Sequence, residues 1–228
     1  MAEQATLAAR GGGWLLERPA SIATPEQFDE TIIALRQLTR EYVTREVLPL
    51  VERMEHGELE LNVPLMRQAG ELGPLGVEVP EAYGGLDLPK TVSAVIAEEL
   101  APTGGFAVTF TAHTSLATLP LVWFGSEEQK RRYLPKLATG EWIGAYALTE
   151  PGSGSDALGA RARATLAPDG THYVLNGTKQ FISNSGFAQL FTIFAKVDGE
   201  HFTAFLVERD TPGLTLGEEE RKMGIKSS

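Results

Sequence analysis

Cysteine is absent from this chain of 228 residues. Its absence excludes disulfides, thiolate metal sites and a cysteine nucleophile, and it suits a reducing compartment. Positive charge is also scarce: 20 Lys and Arg face 30 Asp and Glu, a formal net charge of −10. Nucleic acid needs clustered Lys and Arg, so it is not an expected partner. Small anionic ligands need only a local positive site. There are four histidines; His113, the one in the apolar run, has no His, Asp or Glu at ligand spacing, so no metal is invoked for it. Solenoid-period repeats are missing. The N-terminus carries Glu3 and lacks the pattern of a signal peptide. No stretch is apolar throughout a membrane span. Residues 105–124 come nearest, but Thr109, His113, Ser115 and Pro120 interrupt them, so they read as a buried helix rather than a transmembrane one. A soluble cytoplasmic or mitochondrial-matrix-like setting is the expectation.

What is present fits a globular protein of one large or two modest domains: 43% hydrophobic residues and a mean hydropathy near zero. Residues 1–20, with Gly11-Gly12-Gly13, read as a mobile arm that Trp14, Leu15 and Leu16 can tether. Thr24-Pro25-Glu26-Gln27 predicts a capped helix start, followed by Phe28, Ile32, Leu35, Leu38 and Tyr42 at helical spacing. Pro49 is expected to kink or end that helix. Residues 61–72 predict a second helix, 75–80 an extended segment and 89–100 a third helix. The adjacent Glu98 and Glu99 read as a solvated helix face, and His113 as a packed, hydrogen-bonded side chain. Ser126-Glu127-Glu128-Gln129 is a capping box opening a basic helix with Lys130, Arg131, Arg132 and Lys136. A solvated face explains that positive cluster more simply than a phosphate contact.

After Trp142 the periodicity changes from helical to alternating. Strands are predicted over 142–148, 160–166, 172–176, 180–183, 189–197 and 201–208. Asp169-Gly170, Asn176-Gly177 and Asp198-Gly199 lie between them, so the connections read as antiparallel hairpins. The fold class is α+β: an all-α half followed by an antiparallel β-barrel or sandwich, joined near residue 141.

Two stretches of the β half carry chemistry. In Tyr146-Ala-Leu-Thr-Glu-Pro-Gly-Ser-Gly-Ser-Asp156 a strand opens into a Gly/Ser turn. Gly152 and Gly154 allow close approach to the main chain, and successive N–H groups in such a turn can gather around an anion. An ordinary Gly/Ser turn between the two halves accounts for the same residues. Asn176-Gly-Thr-Lys-Gln-Phe-Ile-Ser-Asn184 reads, on pattern alone, as a turn and a short strand.

Taken together and at this separation, the two stretches resemble the acyl-CoA dehydrogenase family, which carries Thr-Glu-Pro-x-x-Gly-Ser-Asp and then Asn-Gly-x-Lys-x-(Trp/Phe)-Ile-(Thr/Ser)-Asn. The resemblance runs from about Ser21. It looks closest to the long- and very-long-chain branch, through Tyr133-Leu-Pro-Lys-Leu-Ala138, Val207-Glu-Arg209 and Lys222-Met-Gly-Ile-Lys226.

The resemblance implies an N-terminal helical domain over 21–141 and a middle β domain over 142–228, incomplete at its C-terminus, with the family's C-terminal four-helix domain missing. It implies FAD as cofactor and α,β-dehydrogenation of a fatty acyl-CoA to the trans-2-enoyl-CoA in fatty-acid β-oxidation. Tyr146, Ala147, Leu148 and Thr149 would line the pyrimidine side of the flavin. Gly154 and Ser155 would stand near the pyrophosphate, with Ser155 also near the pantetheine. Phe181 stands where the family more often has a Trp on the flavin face. Ile182 would give main-chain contacts, and Ser183 replaces the commoner Thr beside flavin N5. Glu150 would be structural. The family's catalytic glutamate comes from the C-terminal domain, so it is expected beyond Ser228. No catalytic residue is expected within the chain, and these 228 residues alone should not turn over substrate. The helix over 106–122 would line the acyl cavity, where small residues such as Ala112, Ser115 and Ala117 leave room for a long chain. An electron-transfer flavoprotein is the implied acceptor, and a homo-oligomer the implied assembly. An acyl-CoA oxidase-like flavoenzyme and a non-catalytic assembly relative of the fold are the alternatives.

Overall fold

The computed structural model describes residues 24–228, so the arm of residues 1–20 lies outside the described residues. A helical half is followed by a five-stranded sheet. The first helix, α1 (Glu30–Tyr42), starts later than Thr24 predicts. Thr24 makes no side-chain cap, Phe28 turns extended, and Asp29 Oδ1 instead accepts the N–H of Ile32 at 2.8 Å. Pro49 does not end the helical path. It forces a change of winding: a π-helical stretch (Val43–Val47) leads into a 3₁₀ turn (Leu48–Leu50) and then α2 (Val51–Glu55). Proline lacks the N–H that α-winding needs, and a wider turn upstream absorbs the mismatch.

Helix α3 (Asn62–Leu72) stops at Gly73, whose φ of 103° is left-handed. The extended segment expected over 75–80 is corrected: a 3₁₀ turn (Pro74–Gly76) and bends occupy it. Helix α4 (Lys90–Leu100) packs on α1, and α5 (Gly105–Phe124) follows. Helix α5 is long and apolar enough to cross a membrane by length and composition, yet more than half of its apolar window is buried in the fold. Its middle (Ala112–Thr118) is again π-helical, and again a proline, Pro120, lies just beyond. Helix α6 (Glu127–Ala138) carries the predicted capping box: Ser126 Oγ accepts from Gln129 N at 3.2 Å, and Gln129 Oε1 from Ser126 N at 2.9 Å. Tyr42, Met54, Met66, Ile96, Phe106 and Phe110 form the helical core together with Ile143, the residue that leads into the sheet.

The strands are β1 (Gly144–Ala147), β2 (Arg163–Leu166), β3 (Tyr173–Asn176), β4 (Leu190–Val197) and β5 (His201–Glu208). The purely antiparallel β domain is corrected, because the sheet is mixed. The β2–β3 and β4–β5 hairpins are antiparallel, but β1 and β2 both run parallel to β4. Strand β5 covers all eight residues of β4. Strands β1 and β2 therefore share the other edge of β4, β1 against Leu190–Ile193 and β2 against Lys196 and Val197. Residues 148–162 leave the sheet between these two strands, which places the Gly/Ser turn at an interruption in one edge. Residues 180–183 form no strand, and Asn176-Gly177 makes no hairpin.

Side chains join the halves. Arg132 and Tyr133 of α6 hold Glu208 at the end of β5, the tyrosine at 2.8 Å. Residues 222–228 return to the helices. There Glu55 accepts from Lys226 N (2.9 Å), Ser227 N (3.1 Å) and Ser227 Oγ (2.7 Å), and Asn62 Nδ2 donates to Ser227 O at 2.9 Å. Ser228 is drawn in by Lys222, whose Nζ donates to Ser228 O at 2.7 Å and to its Oγ at 3.3 Å. No strand forms among the described residues after Glu208, so the stretch that ends at Ser228 adds a strap across the helices rather than a further strand.

The solvated reading of Glu99 is corrected as well. Its carboxylate is buried and accepts from Arg36 Nε at 2.8 Å and from Arg40 Nε and Nη2 at 2.8 and 2.7 Å. The Arg40 hydrogen bonds, with help from Arg36, outweigh burial and draw this carboxyl down from 4.5 to about 2. A carboxyl depressed on folding stabilises the fold above its unfolded value and loses that contribution as pH falls toward the folded one. Arg40 is well exposed, so solvent screening leaves about 2 kcal/mol at stake. Between about pH 7 and about pH 3, chemical denaturation is expected to show a loss of stability in the wild type that exceeds the loss in Glu99→Gln by about that much. Equal losses would remove Glu99 from the account.

Candidate functional site

The site is built around one carboxylate. Glu150 begins the Gly/Ser turn and bridges to Ser153 through the backbone, N to O at 3.0 Å and the reverse at 3.1 Å. Its side chain points inward. Oε2 accepts from Arg161 N at 2.6 Å and Oε1 from Ala162 N at 3.0 Å, which draws the far limb of the turn back beside the near one. Oε1 also accepts from Lys179 Nζ at 2.8 Å, and the same ammonium donates to Leu148 O at 3.0 Å. One residue on, Gln180 N donates to Thr149 O at 2.9 Å. These bonds dock the second predicted stretch directly onto the first.

Burial works to raise the Glu150 carboxyl, but the Lys179 ammonium and the two backbone N–H groups outweigh it and hold it below the usual carboxylate range. A carboxylate with its acceptor sites filled and its proton affinity lowered is a clasp, not a base.

The nine predicted cofactor-site residues take up three positions. Ala147 is buried in the sheet, and Tyr146 packs its ring edge-on against Phe194 at 5.0 Å. Leu148 and Thr149 leave the strand and meet Lys179 and Gln180. Phe181, Ile182 and Ser183 follow directly, so both stretches converge here. Phe181 is 67% exposed at a left-handed φ of 59°, an uncommon conformation for an aromatic residue, and it offers a ring face to solvent. Gly154 and Ser155 stand exposed on the turn and, among the described residues, make no hydrogen bond to the 179–183 segment. A Cβ added at Gly152 or Gly154 would meet nothing within 4 Å, so the turn offers an open main-chain surface. Among the described residues the hydroxyls of Thr149, Ser155 and Ser183 carry no intramolecular hydrogen bond, whereas Ser153 Oγ donates to Asp156 O at 2.6 Å. Exposed aromatic face, unshared hydroxyls and open glycine backbone are donors and surfaces that fit a flavin dinucleotide.

A second opening lies between α4 and α5, a cavity of about 180 Å³ lined by Val77, Ser93, Ala97, Phe110, Thr111, Thr114 and Ser115 among others. Thr111 and Thr114 spend their hydroxyls on the carbonyls of Ala107 and Phe110 in their own helix, at 2.8 and 3.1 Å. Of the small residues singled out in this helix, Ser115 lines this cavity, and Ala112 and Ala117 do not. Both are buried, and Ala117 packs against β1, where a Cβ on Gly144 would come within 2.6 Å of its own.

His113 is a packed histidine, as read from the sequence. Its Nε2 lies 3.0 Å from Leu137 O and its Nδ1 accepts from Gly144 N at 2.9 Å, the arrangement of a neutral ring protonated at Nε2. Burial pushes it down to about 4. Sequence reasoning assigned no role to Lys179, although the only acid in the first stretch before Asp156 and the only base in the second made their pairing available. Asn184, which donates to Thr109 O and Gly144 O, gave no local signal.

Lys179 and Glu150 are only 10% and 7% exposed, so this is a buried pair. Lys179→Met would leave the carboxylate buried without its charged partner, and the unfolding free energy is expected to fall by about 3 kcal/mol in urea titration. A loss under about 1 kcal/mol would place the pair with solvent-screened surface bridges instead.

Comparison with known proteins bears on this geometry. Residues 29–141 match the acyl-CoA dehydrogenase N-terminal domain, and residues 145–228 match the acyl-CoA dehydrogenase middle domain. A probable acyl-CoA dehydrogenase of Bacillus subtilis is 51% identical over 230 residues, covering 100% of this chain and 39% of the relative. The human mitochondrial very long-chain specific acyl-CoA dehydrogenase is 45% identical over 168 residues, covering 69% of this chain and 26% of that protein. The crystal structure of a Bacillus anthracis acyl-CoA dehydrogenase complexed with FAD superposes with a TM-score of 0.88 at 54% identity, over 90% of this chain and 35% of that one. The chain thus spans about two fifths or less of the length of these relatives. Two domain matches in the family's own order, laid over a helical half and a mixed sheet whose two signature stretches are clasped together, establish that this chain belongs to the acyl-CoA dehydrogenase family.

Proposed function

We propose that this chain forms the helical and middle β domains of a flavoenzyme that dehydrogenates long-chain fatty acyl-CoA between Cα and Cβ. The observation that carries this reading is the docking of the 148–150 segment on the 179–180 segment. It brings an exposed aromatic face and unshared hydroxyls to one place. In this reading Tyr146, Ala147, Leu148 and Thr149 border the pyrimidine side of the flavin. Phe181 packs on its face, Ile182 offers main-chain groups, and the Ser183 hydroxyl approaches N5. Gly154 and Ser155 take the pyrophosphate, and Ser155 also touches the pantetheine. When bound, FAD supplies the acceptor for the hydrogen that leaves Cβ.

The cavity between α4 and α5 receives the acyl chain. The hydroxyls of Thr111 and Thr114 are bound to their own helix, and the Lys90 ammonium and Ser93 hydroxyl to Glu78, so an alkyl chain against these residues breaks no hydrogen bond. Glu150 is occupied by three donors and is structural in this reading. The family resemblance, rather than this geometry, assigns removal of the α proton to a glutamate beyond Ser228. Residues 21–141 and 142–228 act as the two domains, in a cytoplasmic or matrix-like compartment. An electron-transfer flavoprotein serves as acceptor, and the working form is a homo-oligomer. An oxidase is the runner-up, and rapid reaction of the reduced flavin with oxygen would distinguish it.

The test uses a full-length protein that carries this chain. It should purify yellow, and long-chain acyl-CoA should bleach the flavin band with formation of the trans-2-enoyl product. Ala97→Leu should move the preference toward shorter chains. The 228 residues alone should reduce no dye at rates of about 1 s⁻¹ or above. A colourless full-length protein, or turnover by the short chain, would refute the reading.

A further inference from the structure

Strand β1 begins at Gly144, whose two backbone groups are both taken by side chains. Its N–H donates to His113 Nδ1 at 2.9 Å, and its C=O accepts from Asn184 Nδ2 at 3.1 Å. The same Asn184 nitrogen donates to Thr109 O of α5 at 2.9 Å. Both acceptors are carbonyls, so only the NH₂ end of the carboxamide can face them. Oδ1 is left buried with no partner among the described residues, and Asn184 itself is 2% exposed. The backbone there is left-handed as well, with φ at 68°. A left-handed backbone suits asparagine better than most residues, but a buried acceptor without a partner is unfavourable and persists where the surroundings over-determine it.

The position explains why such a residue is kept. Asn184 immediately follows Ser183, and Gly144 opens the strand that leads to Thr149. We propose that Asn184 is a positioning residue for the flavin: its carboxamide ties the Phe181–Ser183 segment to the start of β1 and to α5. That tie sets the spacing between the Thr149 main chain and the Ser183 hydroxyl along one ring. The inference rests on the reading that FAD binds at these residues. The residue type follows from the geometry. Aspartate would present a carboxylate to two carbonyls. Serine has a single donor on a shorter arm. Glutamine carries an extra methylene, which moves its NH₂ away from the two carbonyls that the shorter side chain reaches.

The experiment compares Asn184→Gly and Asn184→Ser with wild type in the full-length, FAD-loaded protein. Glycine adopts the left-handed backbone freely, so that variant removes the amide without adding strain. Serine retains one donor and guards against a fold that fails. The measurements are the FAD dissociation constant, by flavin fluorescence, and the position and fine structure of the visible flavin band. The expected result is a dissociation constant raised about tenfold, because the two halves of the site are no longer held in the binding arrangement before FAD arrives, together with an altered band in the flavin that still binds. A lower melting temperature with an unchanged dissociation constant and an unchanged band would mean a purely structural residue and would overturn the proposal. Ser183→Ala separates the two readings. If it perturbs the flavin while the Asn184 variants do not, only the positioning role falls. If none of the three perturbs it, the placement of FAD falls too.

Discussion

The buried contact between Glu150 and Lys179 is the constraint on which the site depends. A carboxylate withdrawn from water is costly unless its oxygens are filled. Here they are filled by one ammonium and two main-chain N–H groups, from separate stretches of chain. Each donor does a different job. Arg161 and Ala162 close the Gly/Ser turn into a loop anchored at both ends. Lys179 brings in the second stretch and, through Leu148 O, fixes it where the strand opens into the loop. Gly152, Gly154 and Ser155 are then free to remain exposed without the loop losing its shape.

The helical half supplies a rigid bed. Two long helical paths each meet a proline in mid-course, and each answers with a π-helical stretch just before it rather than with a break. In α5 that wider winding separates two faces. Thr111, Thr114 and Ser115 line the cavity, while His113 and Ala117 meet β1 on the other side. A neutral, buried histidine suits this role, because it donates to Leu137 O and accepts from Gly144 N at once.

Local chemistry was legible in the sequence. The Ser126 capping box and the Asp198-Gly199 hairpin each depend on a few adjacent residues, and each formed as read. The two signature stretches were legible because their residue order is specific. Features set at long range were not. Asn176-Gly177 has hairpin composition, but the chain beyond it is claimed by Thr149 and Glu150 before it can pair with β3. The parallel alignment of β1 and β2 with β4 is a matter of topology, which turn residues do not encode. Glu99 looked solvated because its two arginines lie on another helix.

The stretch after β5 changes how the two halves can move. The polypeptide crosses from helices to sheet near residue 141 and crosses back where Ser227 settles beneath Glu55 and Asn62. The sheet is therefore moored at two places to the same helical bed. Any displacement of the sheet from that bed must therefore break the bonds that Glu55 and Asn62 make to Ser227 as well as bend the chain near residue 141.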